Sequence, residues 1–151
     1  MDAKSSTSEP SAAEAIRARV LRAIARNRLP GLHFPGHFLD IRWKTVADGA
    51  AQATLQSGPH CRNADGTMNL VALGLLVDQM LAASTRTGFP SGVRLGTVHL
   101  RLQFTGAAAA GDVEASSRLL GFSEGGLRKS MSVGILHAQG RPLCHVGGEF
   151  V

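Results

Sequence analysis

The sequence has no tyrosine, a single tryptophan and two cysteines in 151 residues. With so few aromatic rings it offers no interleaved stacking surface for single-stranded nucleic acid. Nor does it contain zinc-finger, helix-turn-helix or RNA-recognition spacings. The two cysteines, Cys61 and Cys144, form no CxxC pair, and they read as free thiols of a reducing compartment. Long apolar runs are missing as well. The longest, Leu70 to Val77, falls far short of the ~20 residues that cross a bilayer. Residues 1–12 are rich in Ser, Ala and Glu without an apolar centre, so they read as a loose tail rather than a secretory signal. A cytoplasmic protein that binds neither membrane nor nucleic acid is the expectation.

What is present suits one domain, placed at residues 13–151. A chain of this length buries roughly two-thirds of its unfolded surface and needs no disulfide or metal to fold. The formal charge is +5, but its basic residues are spread out. Arg17, Arg19, Arg22, Arg26 and Arg28 are interleaved with apolar residues at helical spacing, as on the solvated face of a helix over about Ser11 to Asn27. Leu29-Pro30-Gly31 ends that helix, and His33 to Phe38 reads as a loop. Strands are expected over Leu39–Val46 and Ala50–Gln56, joined by an Asp48-Gly49 turn.

A polar loop, Ser57 to Gly66, precedes a second helix over about Met68 to Thr85, apolar on almost every face as if surrounded by protein. Period two then takes over. Val98, Leu100, Leu102 and Phe104 point one way, and Thr97, His99, Arg101 and Gln103 the other. Strands over Asp112–Gly121, Gly126–Ala138 and Arg141–Val151 complete an α+β layout, an antiparallel sheet around a central helix with an extra helix before it.

Asp78 does not fit its surroundings. It lies two turns into the apolar helix, beyond the reach of capping or dipole effects. A carboxylate there needs a partner or a purpose, either neighbouring hydrogen bonds, a subunit contact or work as a general base.

The spacing around Asp78 resembles that of the hotdog-fold acyl-CoA thioesterases of the phenylacetate-pathway type. Their signature is an Asn, then Gly-Thr-x-His-Gly-Gly, an apolar helix, and an acidic residue nine positions after the His. Here Asn63 precedes Gly66-Thr67-Met68-Asn69-Leu70-Val71, and Asp78 stands nine residues after Asn69. Thr97 falls where the family has a Ser or Thr on the strand after the helix, and Gly106 and Gly111 follow. The likeness covers about residues 50–151.

It implies hydrolysis of an acyl-CoA thioester with no cofactor beyond the coenzyme A of the substrate, and no metal. The Leu70 N–H would polarise the thioester carbonyl, aided by the helix dipole and by Asn63 and Asn69 at the helix start. Asp78 of a neighbouring subunit would activate water or attack directly, and Thr97 would position it. Gly66 and Thr67 would line the substrate site. Read from their own surroundings, Arg128 and Lys129, flanked by Gly125-Gly126 and Ser130, are either contacts for the phosphates of coenzyme A or two exposed charges of a strand turn. The family's sites lie across a dimer interface, so a homodimer is implied, with a tetramer of paired dimers in keeping.

One departure stands out. His-Gly-Gly is replaced by Asn69-Leu70-Val71, which removes a proton shuttle and two small residues but keeps the backbone N–H. A divergent thioesterase, a member with altered substrate, and a non-catalytic hotdog protein that binds an acyl-CoA-like ligand or serves a structural role all fit it. His33-Phe34-Pro35-Gly36 resembles part of a hotdog dehydratase motif, but two expected strands separate it from Asp78.

Overall fold

The computed structural model describes residues 10–27, 34–123 and 129–151. Helix α1 (Ala12–Arg26) opens on a capping box: the Ser11 hydroxyl accepts from the Glu14 N–H, and the Glu14 carboxylate accepts from the Ser11 backbone. The expected tail, residues 1–12, lies mostly outside the described residues. A short helix, α2 (Phe34–Leu39), occupies the stretch expected to be loop. Pro35 does not prevent it, because an N–H in the first turn has no intrahelical acceptor to lose.

α1 packs on α2. Arg19 donates to the Phe38 carbonyl at 3.2 Å, and Arg26 pairs with Asp40 at 3.5 Å. Arg17 and Arg22 are exposed, as a solvated face requires.

Strands β1 (Arg42–Ala47) and β2 (Ala50–Leu55) form the expected hairpin, with Asp48 and Gly49 at φ 49° and 76°. Positive φ at both positions gives the turn the twist that the flanking strands need. Helix α3 (Leu70–Arg86) comes next, followed by β3 (Thr97–Phe104), β4 (Val113–Phe122), β5 (Ser130–Ala138) and β6 (Arg141–Phe150). All pairings are antiparallel, in the order β1-β2-β4-β5-β6-β3. The expected start of the fifth strand, Gly126, lies outside the described residues.

α3 touches every strand of the sheet, so the sheet curls around it. Leu73, Leu76, Val77, Met80 and Leu81 are buried against Leu55, Val113, Leu136 and Phe150. The approach is close: a Cβ on Gly134 would collide with the Ser116 carbonyl and the Met80 side chain. Buried hydroxyls fasten the second half of the helix. Ser117 donates to the Met80 carbonyl at 3.0 Å, and Thr85 and Ser132 share a bond of 2.7 Å.

The other side of α3 is not surrounded by the described residues. Leu70 is 62% exposed and Val71 77%, while Leu75, Asp78 and Gln79 are half-buried. Read from sequence alone, the helix was apolar all round; in the structure it has one face against the sheet and one apolar face turned outward.

Candidate active site

Two groups of the residues expected at the site are each brought together. The first sits at the start of α3. Asn63 to Thr67 close into a turn: the Asn63 N–H donates to the Thr67 carbonyl at 2.7 Å, and the Asn63 side-chain amide to the Thr67 hydroxyl at 3.1 Å. Gly66 adopts φ 83°, a conformation that suits glycine. Asp65 accepts from the Thr67 hydroxyl and backbone N–H, and these bonds hold its carboxyl below the usual range.

The turn aims the chain into the helix through Met68 N–H to Ala109 and Asn69 N–H to Cys61, both 2.8 Å. Asn69 is the N-cap, its side-chain oxygen accepting from the Ala72 N–H at 2.8 Å. With Ala72 and Leu73 satisfied by Asn69, the N–H groups of Leu70 and Val71 are the ones left without an intrahelical acceptor. Asn69→Ala is expected to cost about 1 kcal/mol of stability, a typical cap loss. Chemical denaturation at fixed m-value checks it; an unchanged midpoint would show that the cap bond contributes nothing.

Beside this helix start lies an apolar hollow of about 280 Å³, lined by Phe38, Leu39, Val71, Ala72, Leu75 and His60. Burial, reinforced by the nearby Arg19 charge, pushes the His60 imidazole below its usual pKa and favours the neutral ring.

The second group sits two turns along the helix. Asp78 is half-buried, not enclosed as its apolar neighbours in the sequence suggested, and it opens into a wide cleft. Its carboxylate accepts a bond from the Thr97 hydroxyl at 2.7 Å.

That bond depends on an irregularity in β3. Strict alternation would put Thr97 on the outer face with His99, Arg101 and Gln103. Instead the register against β6 shifts between Thr97 and His99: Thr97 lies opposite Phe150, His99 opposite Glu149 and Leu100 opposite Gly148. Phe150 is buried in the core, and Gly148 lies against Leu81 of α3. Thr97 therefore shares the helix-facing side with Leu100, and Val98 is the extra residue, 53% exposed. A β-bulge re-aims a side chain in just this way.

The connection before β3 is held by an Arg86 guanidinium bond to the Val93 carbonyl and by paired Gly96–Val151 backbone bonds of 2.7 and 3.0 Å. Trp43, Arg86 and Arg94 line the Asp78 cleft, and none was singled out from sequence. For Arg86 a signal existed, since it lies eight residues from Asp78 on one helix face. The positions of Trp43 and Arg94 follow from tertiary packing alone. The Lys129 N–H donates to the Ser123 hydroxyl at 3.1 Å and its carbonyl accepts from the Ser123 N–H at 2.7 Å, and Lys129 joins neither group. Arg128 lies outside the described residues.

No protein-family model and no curated protein matches the chain. Solved structures do. A Bacillus halodurans protein solved with CoA superposes with TM-score 0.77 over 95% of each chain, at 14% identity. The chain has the hotdog fold. A Pseudomonas aeruginosa thioesterase, solved as a point mutant, superposes with TM-score 0.67 at 14% identity, covering 95% of this chain and 94% of its own. A phenylacetic acid degradation protein from Thermus thermophilus, also a mutant, gives TM-score 0.66 at 17% identity, covering 76% and 95%. Within the hotdog framework α3 is the central helix, and α1 lies outside it. No helix among the described residues is long and apolar enough to cross a membrane.

Proposed function

We propose that this protein hydrolyses acyl-CoA thioesters at a site shared by two copies of the chain. The observation that carries the reading is the Thr97–Asp78 bond of 2.7 Å, set in an open cleft on the central helix. A carboxylate that is held by one hydroxyl, and that still faces open space, is placed to take a proton from water. The Leu70 and Val71 N–H groups at the helix start are the matching hydrogen-bond donors, suited to a carbonyl oxygen that gains charge as the carbonyl carbon is attacked.

One chain cannot bring the two together. Leu70 and Asp78 are eight residues apart on one helix, about 12 Å along its axis. A general base must come within about 3 Å of the proton it takes. Asp78 of a second copy satisfies that requirement when two central helices face each other, and the exposed Leu70–Val71 face and the edge strand β3 are available to it. In this arrangement Asn63, Gly66 and Thr67 hold the turn beside the carbonyl, and Asn69 fixes the helix start. No cofactor takes part. The thioesterase and CoA-bound neighbours support the substrate class.

A binding protein without turnover is the second reading, favoured by Leu70 and Val71 standing where the family has glycines. Within the chain, neither side chain lines the Asp78 cleft. The test is thiol release from short, medium and aryl acyl-CoAs, run beside sedimentation. The expected result is turnover on part of the panel by a dimer or larger assembly. Coenzyme A binding without turnover on any member would establish the second reading, and an active monomer would overturn the shared site.

A further inference from the structure

Asp78, Ala82 and Arg86 recur every four residues along α3 and so stack on one helix face. Arg86 lies about 12 Å from Asp78 along the axis. The cleft that holds Asp78 follows this face. Ala82 and Ala83 of the helix line it, with Trp43 and Val46 of β1 and Val93 and Leu95 of the connection before β3. Arg86 and Arg94 line it too, and they belong together: the Arg86 guanidinium bonds the carbonyl of Val93, the residue just before Arg94.

Two exposed cations in a lining whose other polar side chains are Asp78, Gln79 and Thr97 call for a reason. Arg86 has part of one, since it lies in the last helical turn, where the dipole favours a cation, and it ties down the connection. Arg94 has none of this. Among the described residues it makes no hydrogen bond or ion pair. The ion pairs found there use Arg19, Arg26 and Lys44 instead. Among the described residues Asp78 is the one acid lining the cleft, and it is bonded to Thr97.

We propose that Arg94, with Arg86 beside it, is an anion-recognition site in the Asp78 cleft, and that the ligand carries a negatively charged group displaced from Asp78 toward the C-terminal end of α3. A guanidinium fork suits carboxylate and phosphate alike. On the thioesterase reading, on which only the ligand's identity rests, two sources supply that chemistry. One is a terminal carboxylate on the acyl chain; the other is the phosphates of coenzyme A. The alanines between Asp78 and Arg86 leave room for a methylene chain, and Trp43 offers it a flat apolar surface.

The test compares the full chain with Arg94→Gln and Arg94→Lys. The substrates are straight-chain acyl-CoAs, ω-carboxyacyl-CoAs of matched length, and the same acyl groups on N-acetylcysteamine, which has no phosphate. Arg94→Gln is expected to raise KM by about tenfold or more with kcat little changed, as the loss of a charge-assisted bond implies. Arg94→Lys should recover part of the loss.

A rise confined to ω-carboxyacyl substrates places the anion on the acyl end. A rise on every CoA thioester, absent with N-acetylcysteamine, places it on the phosphates. Unchanged KM throughout overturns the proposal. If no thioester is hydrolysed, the thioesterase reading fails and the anion site is tested by fluorescence. Trp43 is the one tryptophan, no tyrosine competes with it, and it lines the cleft. Titration with coenzyme A and with free dicarboxylates should then quench wild type, with the midpoint moved about tenfold in Arg94→Gln. The absence of both quenching and shift overturns the site.

Discussion

Asp78→Asn is expected to lower kcat by about 10²–10⁴-fold, the range that a positioned general base contributes. The change is almost isosteric. The amide oxygen still accepts the bond that Thr97 donates at 2.7 Å, so the cleft keeps its shape while the side chain can no longer take a proton. KM should therefore move little, and the melting temperature should stay close to that of wild type. Thr97→Val supplies the paired measurement, because it removes the hydroxyl and leaves the carboxylate free to swing; a smaller loss is expected. Thiol release with saturating acyl-CoA reads both. If Asp78→Asn retains wild-type kcat, the hydrolytic role passes to another group, and the carboxylate is left as a fastening between α3 and β3.

Phe150→Ala carries the second large effect, this one on stability. Phe150 is fully buried, it stands opposite both Thr97 and Ser130 in the sheet, and its ring packs by Leu81 and Leu100 around Gly148. Removing a ring from such a position typically costs about 3–5 kcal/mol, from lost burial and the cavity left behind. In a domain of this size that corresponds to a fall in Tm of roughly 6–20 °C. Because Phe150 also lines the Asp78 cleft, KM should rise even at temperatures where the variant is folded. Thermal unfolding followed by circular dichroism checks the first effect; a Tm within a degree or two of wild type would remove Phe150 from the set of residues that hold the core.

Much of this architecture was legible in the residues. The apolar run around Leu73, Leu76 and Met80 announced α3, and Asp48-Gly49 announced the hairpin, because both signals are local and strong. Asp78 stood out because a charge within such a run has no local explanation. α2 was hidden, since Phe34-Pro35-Gly36 carries the marks of a break and only packing against α1 and α3 compensates. The outward face of α3 was hidden too: apolar residues on all sides predict burial but do not say whether the covering atoms come from one chain. Thr97 was found by its spacing and assigned to the wrong face of its strand. Nothing in Thr97-Val98-His99 marks a bulge, because none of the three is a glycine and the shift is set by the pairing with β6. The walls of the cleft, Trp43 and Arg94, come from segments far apart in sequence, and no period along the chain connects them to Asp78.

The extra residue in β3 bears on how a site of this kind can change over generations. Side chains on a strand are sorted by odd and even position, so one inserted codon carries everything before it to the opposite side while leaving each amino acid unaltered. Deletion of Val98 would do the reverse: either Thr97 would turn away from Asp78, or the rest of the strand would slide along its neighbour. No exchange of one amino acid for another reproduces that movement. Length variants of this short segment are therefore a separate axis of variation, one that a library of point substitutions never samples.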